Sequence, residues 1–182
     1  MKIAILGGGH GCHAAAADLS EQGHEVVLWR RDAEALAPLI ETRRIVLKDS
    51  AGTREVPIAG ATQDIGAAVR DAALGLIPSP ATAQADIAQR LAPHLRDGQV
   101  VFLPPGTFGS VAMAQIVRAA GHRPRVAWAE TGTLPYLARK HGPREINVTV
   151  RAVRLPTGVY PARDAEHAID VIRRARKRRR SR

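Results

Sequence analysis

Residues 2–17 read KIAILGGGHGCHAAAA, and this stretch decides the fold. Lys2 to Leu6 is a short apolar run suited to a buried strand, and it stops abruptly at Gly7. His13 to Gln22, HAAAADLSEQ, is a strong helix former, with Gly23 as its stop. Gly7, Gly8, Gly9 and Gly11 stand between strand and helix. Gly7 permits a tight turn, and Gly9 has no side chain to keep a ligand from the backbone. A helix opening at such a turn offers free N–H groups and the positive end of its dipole to an anion. The third glycine of the usual G-x-G-x-x-G spacing falls on Cys12, a small residue that still lets helix and strand approach. This setting predicts that Gly7, Gly9, His10 and Gly11 cradle the pyrophosphate of a dinucleotide. The blander reading is an ordinary strand-to-helix turn in another α/β protein.

Outward from the turn, apolar runs and helical patterns alternate. Glu25 to Trp29 (EVVLW) is a second strand. Asp32 then caps a helix in which Ala33, Leu36, Leu39 and Ile40 are spaced for one buried face, and Pro38 kinks or divides it. Strand, turn, helix, strand, helix opens a Rossmann-type α/β fold: a doubly wound, mostly parallel sheet with helices on both faces. Ile45 to Lys48 and Arg54 to Ile58 read as a hairpin, its second strand placed at an edge by Pro57. Further strands are expected over Leu74 to Ile77, Gln99 to Leu103, Arg125 to Ala129 and Asn147 to Val153. Helices are expected over Asp64 to Ala73, Thr82 to Ala92 and Ser110 to Ala120.

The second strand ends Leu28-Trp29-Arg30-Arg31-Asp32. A site for NAD usually places Asp or Glu here to bond the ribose 2′-hydroxyl. Arg30 takes roughly that position, with Arg31 beside it. Guanidinium groups suit a 2′-phosphate, so NADP is favoured over NAD. The alternative makes both arginines solvated surface charges and Asp32 simply a helix cap.

Composition narrows the function classes. Aromatic residues are only 3%, which argues against a single-strand nucleic-acid binder built on stacking platforms. The net charge of +10 is concentrated in Val171 to Arg182, VIRRARKRRRSR, and the body is nearly balanced. Nucleic acid is therefore not an expected partner and is held only as an alternative reading of that tail. The single cysteine, Cys12, cannot form an intrachain disulfide, which favours the cytoplasm. No run suggests a signal peptide or a membrane span. No carboxylate or cysteine cluster surrounds His10 and His13, so no metal site is expected; Cys12 reads as a packing residue.

Four stretches resemble the opine dehydrogenases, the octopine/nopaline dehydrogenase group: GGGHGCHAAAA, VVLWRRD, LPPGTFGS, and AETGTLPYLAR from Ala129 to Arg139. The glycine turn also occurs in glycerol-3-phosphate dehydrogenases and ketopantoate reductases, so the last stretch is the most specific. The resemblance implies hydride transfer from NAD(P)H to the imine of an amino acid and a 2-oxo acid. It implies cofactor roles for Gly7, Gly9, Gly11 and Arg30, and places Pro80, Pro105 and Gly106 on loops beside the cofactor. It places Glu130, Thr131 and Gly132 near the nicotinamide; Glu130 reads equally as a carboxylate satisfied by backbone N–H groups.

In families of this kind a second, largely helical domain supplies the catalytic His and much of the substrate pocket. Residues 1–162 are read as the dinucleotide-binding domain, and 163–182 as the start of an interdomain helix running into a basic tail. With no second domain in the sequence, the chain reads as a truncated or frameshifted product that binds cofactor and turns over poorly. No catalytic residue is assigned, and a small-molecule substrate is expected only if a second domain is supplied. A non-enzymatic dinucleotide-binding or redox-sensing module is the alternative.

Overall fold

The computed structural model describes residues 1–176; the end of the expected basic tail, from residue 177, lies outside the described residues. In chain order the first elements are β1 (Lys2–Leu6), α1 (His10–Glu21), β2 (Glu25–Trp29), α2 (Ala33–Thr42), β3 (Arg44–Asp49), β4 (Gly52–Pro57) and β5 (Gly60–Thr62). There follow α3 (Ile65–Val69), β6 (Leu74–Leu76), α4 (Ala81–Leu91), β7 (Val100–Leu103), α5 (Gly109–Ala119) and β8 (Ala127–Thr131). The last are β9 (Tyr136–Lys140), β10 (Glu145–Arg151), β11 (Thr157–Tyr160) and α6 (Ala165–Ala175).

Seven strands form one sheet in the order β11-β8-β7-β6-β1-β2-β5. All neighbours are parallel except β11, which runs antiparallel to β8. This is the doubly wound sheet the sequence leads one to expect. Successive strand residues feed opposite faces: Ile3 and Ile5 pack with α1, α2 and α6, and Ala4 and Leu6 with α3, α4 and α5. The chain leaves β1 toward β2 and later returns to β6 on β1's other side. The reversal opens a crevice at the carboxyl ends of β1 and β6, the usual ligand position in such sheets.

A second sheet, β4-β3-β10-β9, was not foreseen. It joins the expected hairpin to two strands from much later in the chain, with β10 parallel to β3 and antiparallel to β9. Ile45, Leu47, Val56, Ile146 and Val148 join the same core cluster as Ala14 to Ala17 of α1. Helix α1 is thus buried between two sheets, and its four consecutive alanines are fully inaccessible. Small side chains let both sheets approach the helix.

Several boundaries differ from expectation. Helix α1 starts at His10, because extended Gly9 acts as its N-cap and accepts the His13 N–H at 3.2 Å. Helix α2 runs through Pro38 unbroken and buries Leu36 and Leu39, leaving Ile40 47% exposed. Helix α3 ends at Val69, since Arg70 has already left helical geometry. Strand β8 extends to Thr131, so Glu130 stands on a strand. Helix α6, in the segment expected to lead away, buries Ala168, Val171, Ile172 and Ala175 in the same core.

Candidate functional site

The glycine turn follows β1 at the crevice. Gly7 has φ +130°, and a Cβ there would collide with Ser79 Oγ and Cys12 Sγ, so the fold itself requires glycine. Gly11 lies against the loop after β6, where a Cβ would come within 3.0 Å of Pro78. Gly9 differs. Its backbone suits any residue, and a Cβ would meet nothing within 4 Å. The space above it is open, which fits a group that approaches the backbone there.

Two clefts meet at the turn. The first, about 580 Å³, lies between Gly9-His10-Gly11, the loops bearing Pro80 and Pro105, and residues 134–139. The second, about 460 Å³, is lined by Gly7 to Gly9, Arg30, Arg31 and Asp86. They share Gly9, Ser79 and Pro80. The first helical bond of α1 starts at the His13 N–H, so the amides of His10, Gly11 and Cys12 have no intrahelical partner. Among the described residues, no group of three or more His, Cys, Asp or Glu could hold a metal ion.

Arg30 covers Gly8, where a Cβ would overlap its side chain, and Arg30 Nη2 donates to Asp32 at 3.2 Å. Asp32 also accepts the Ala35 N–H at 3.1 Å, capping α2. Arg31 turns to the opposite wall and pairs with Asp86 on α4 at 3.2 Å. The two arginines therefore face different sides of one cleft, with Arg30 on the side of the turn.

Two further candidates sit behind the cleft wall. Glu130 accepts the Phe108 N–H at 2.8 Å and the Ser110 N–H at 2.9 Å, closing the start of α5. A Cβ on Gly106 would strike Glu130, so glycine is needed for the carboxylate to reach past. The geometry matches the backbone-satisfied alternative for Glu130. Neither Gly106 nor Glu130 lines either cleft.

The histidines and cysteine take structural positions. His10 Nδ1 accepts the Lys140 N–H at 3.0 Å, which puts its ring proton on Nε2. His13 is fully buried, with the carbonyls of Gly9 and Pro143 at 3.1 and 3.0 Å from its two ring nitrogens. Burial, then the nearby Lys140 charge, lower its pKa to about 4, while the two carbonyls pull the other way. Burial pushes the Cys12 thiol up and outweighs the opposing pull of the Gly9 hydrogen bond.

Sequence reading missed Lys140. It is the last residue of β9, and its ammonium reaches the Gly8 carbonyl at 3.4 Å. No local pattern marks it, because 132 residues separate it from Gly8. Arg139, beside it, lines the first cleft.

Residues 2–104 match the family model of the NAD-dependent glycerol-3-phosphate dehydrogenase N-terminus. The chain belongs to this family. The chain is also 33% identical to the opine dehydrogenase of Arthrobacter sp. (strain 1C), over 93% of the chain and 47% of that relative. Octopine dehydrogenase in complex with NADH and agmatine superposes with a TM-score of 0.77 at 19% identity, over 93% of this chain and 46% of that chain. NADP⁺-bound yersinopine dehydrogenase gives 0.73 at 18% identity, over 96% and 46%. At such identities the two structural likenesses speak for the fold alone, that of a Rossmann-type domain. The chain spans about half the length of these relatives.

Proposed function

We propose that the chain is the cofactor half of an opine dehydrogenase-type oxidoreductase, holding NADP in preference to NAD across the two clefts. The supporting observation is the open space above Gly9, where two clefts and the free amides of α1 converge. The amides of His10, Gly11 and Cys12 receive the pyrophosphate, Arg30 the 2′-phosphate, and the Pro80 and Pro105 loops the nicotinamide side. The bound cofactor supplies hydride to the imine of an amino acid and a 2-oxo acid. The substrate pocket is completed by a second domain like that of longer relatives. Burial of the single thiol, Cys12, demands no oxidising compartment, and the cytoplasm is the location we assign. Among the described residues no helix is long and apolar enough to cross a membrane.

Titration with NADPH and NADH tests the reading, with Gly9→Val as the control. A Cβ at that position meets nothing within 4 Å, so valine there intrudes on the pyrophosphate space. The variant should melt as the parent does and bind neither nucleotide. Unchanged NADPH affinity in a folded variant would remove the assignment.

A further inference from the structure

Along β9, Tyr136, Ala138 and Lys140 are half-buried while Leu137 and Arg139 are exposed. Tyr136 donates its O–H to Asp18 of α1 at 3.0 Å, so this face of β9 looks onto that helix. Lys140 therefore stands at the N-terminal end of α1, where the helix dipole disfavours a cation. Arg30 adds a like charge nearby. Among the described residues, the Lys140 ammonium has no carboxylate partner, only the Gly8 carbonyl. The titratable groups facing it are Arg30 after β2, and His10, Cys12 and His13 on α1. None of them is an anion at pH 7: a histidine ring is neutral or cationic, and burial keeps Cys12 a thiol. A half-buried cation beside a second cation and a helix N-terminus is unfavourable until an anion arrives.

We propose that Lys140 is a phosphate ligand, donating to the pyrophosphate of a dinucleotide seated at the glycine turn. This rests on the dinucleotide reading of the clefts. The pyrophosphate is chosen over the 2′-phosphate because Lys140 touches the turn itself, at Gly8 and His10. The Arg30–Asp32 end of β2 borders the other cleft. The second sheet thus contributes directly to cofactor binding, through a residue outside the stretch that the family model matches.

Burial, followed by Arg30, lowers the Lys140 pKa in the free protein. A bound phosphate favours the charged amine. Affinity should therefore be full at lower pH and fall as pH rises through that lowered value. The test measures dissociation constants for NADH and NADPH across pH with the full chain, Lys140→Met and Lys140→Arg. Lys140→Met should weaken both nucleotides about ten- to a hundredfold and lose the alkaline decline. Lys140→Arg should stay within about threefold, because it keeps the charge. A loss confined to NADPH would move Lys140 to the 2′-phosphate and overturn the proposal. Unchanged affinity in Lys140→Met would also overturn it, provided the parent binds. A parent that binds neither nucleotide defeats the dinucleotide reading instead. If Lys140→Met does not melt cooperatively, Lys140→Gln is judged by the same criteria.

Discussion

At the scale of one residue, the proposed preference for NADP rests on Arg30. It covers Gly8 and is only 25% exposed, whereas Arg31 is 67% exposed and paired with Asp86. Arg30→Asp should therefore weaken NADPH and strengthen NADH, since a carboxylate repels the phosphate and accepts bonds from free ribose hydroxyls. Loss of a charge-assisted hydrogen bond costs roughly 1.5–3 kcal/mol, about ten- to a hundredfold or more in NADPH affinity. Arg31→Ala should leave the preference in place. Competitive titration with both nucleotides decides the matter: an unaltered preference in Arg30→Asp makes Arg30 a surface charge.

At the scale of elements, the Pro-rich loop before α5 depends on a carboxylate from β8. Thr107 and Phe108 both lie in the left-handed region, at φ 55° and 66°, which non-glycine residues seldom adopt. Glu130 holds the Phe108 and Ser110 amides across that turn. Glu130→Gln leaves one oxygen acceptor and removes the charge. It should cost about 1–2 kcal/mol by chemical denaturation and raise hydrogen exchange at residues 107–110. Exchange unchanged from the parent would show the turn holding itself. Five strands of the main sheet, β1, β2, β6, β7 and β8, were legible because each is local: an apolar run, then a turn residue, then a helix former. The turn was legible for the same reason, its glycines being consecutive in sequence. Strands β5, β9 and β11 escaped notice. Residues 60–62 form too short a strand to show a period, and YLARK shows its alternation only once α1 lies beneath it. Lys140 escaped because its neighbours belong to the other end of the chain.

Across the whole molecule, an ion-pair network ties the second sheet to α1. Arg151 on β10 donates to Asp18 of α1 at 2.9 Å and to Asp49 of β3 at 2.7 Å. Arg54 on β4 joins Asp49 at 2.8 Å and also pairs with Glu21 of α1. Asp49, only 5% exposed, is held well below the usual carboxylate range, first by Arg54 and then, against burial, by Arg151. Arg151→Met should cost about 1–3 kcal/mol at neutral pH, discounted for the partial exposure of the arginine. A carboxylate with a depressed native pKa stabilises above its unfolded value and loses that contribution as pH falls through the native one. The gap between parent and variant should therefore narrow in acid. Urea unfolding at neutral and acidic pH measures it, and a gap that widens in acid would contradict the network's role. Because this network seats β9 and β10 on α1, the same variant should loosen the region around Lys140.

The pairing of β3 with β10 also sets a clock. Val46 lies opposite Glu145, so almost a hundred residues must be synthesised after β3 before its partner exists. At ribosomal speeds of about 5–20 residues per second, that edge waits roughly 5–20 s. Ile45 and Leu47 meanwhile sit on a hairpin with one unpaired side, the kind of edge that recruits other chains. The glycine turn, among the first parts to be made, is among the last to be closed. Newborn chains of this protein are therefore most vulnerable to mispairing while the main sheet is still being laid down, and a holding chaperone would act in that interval.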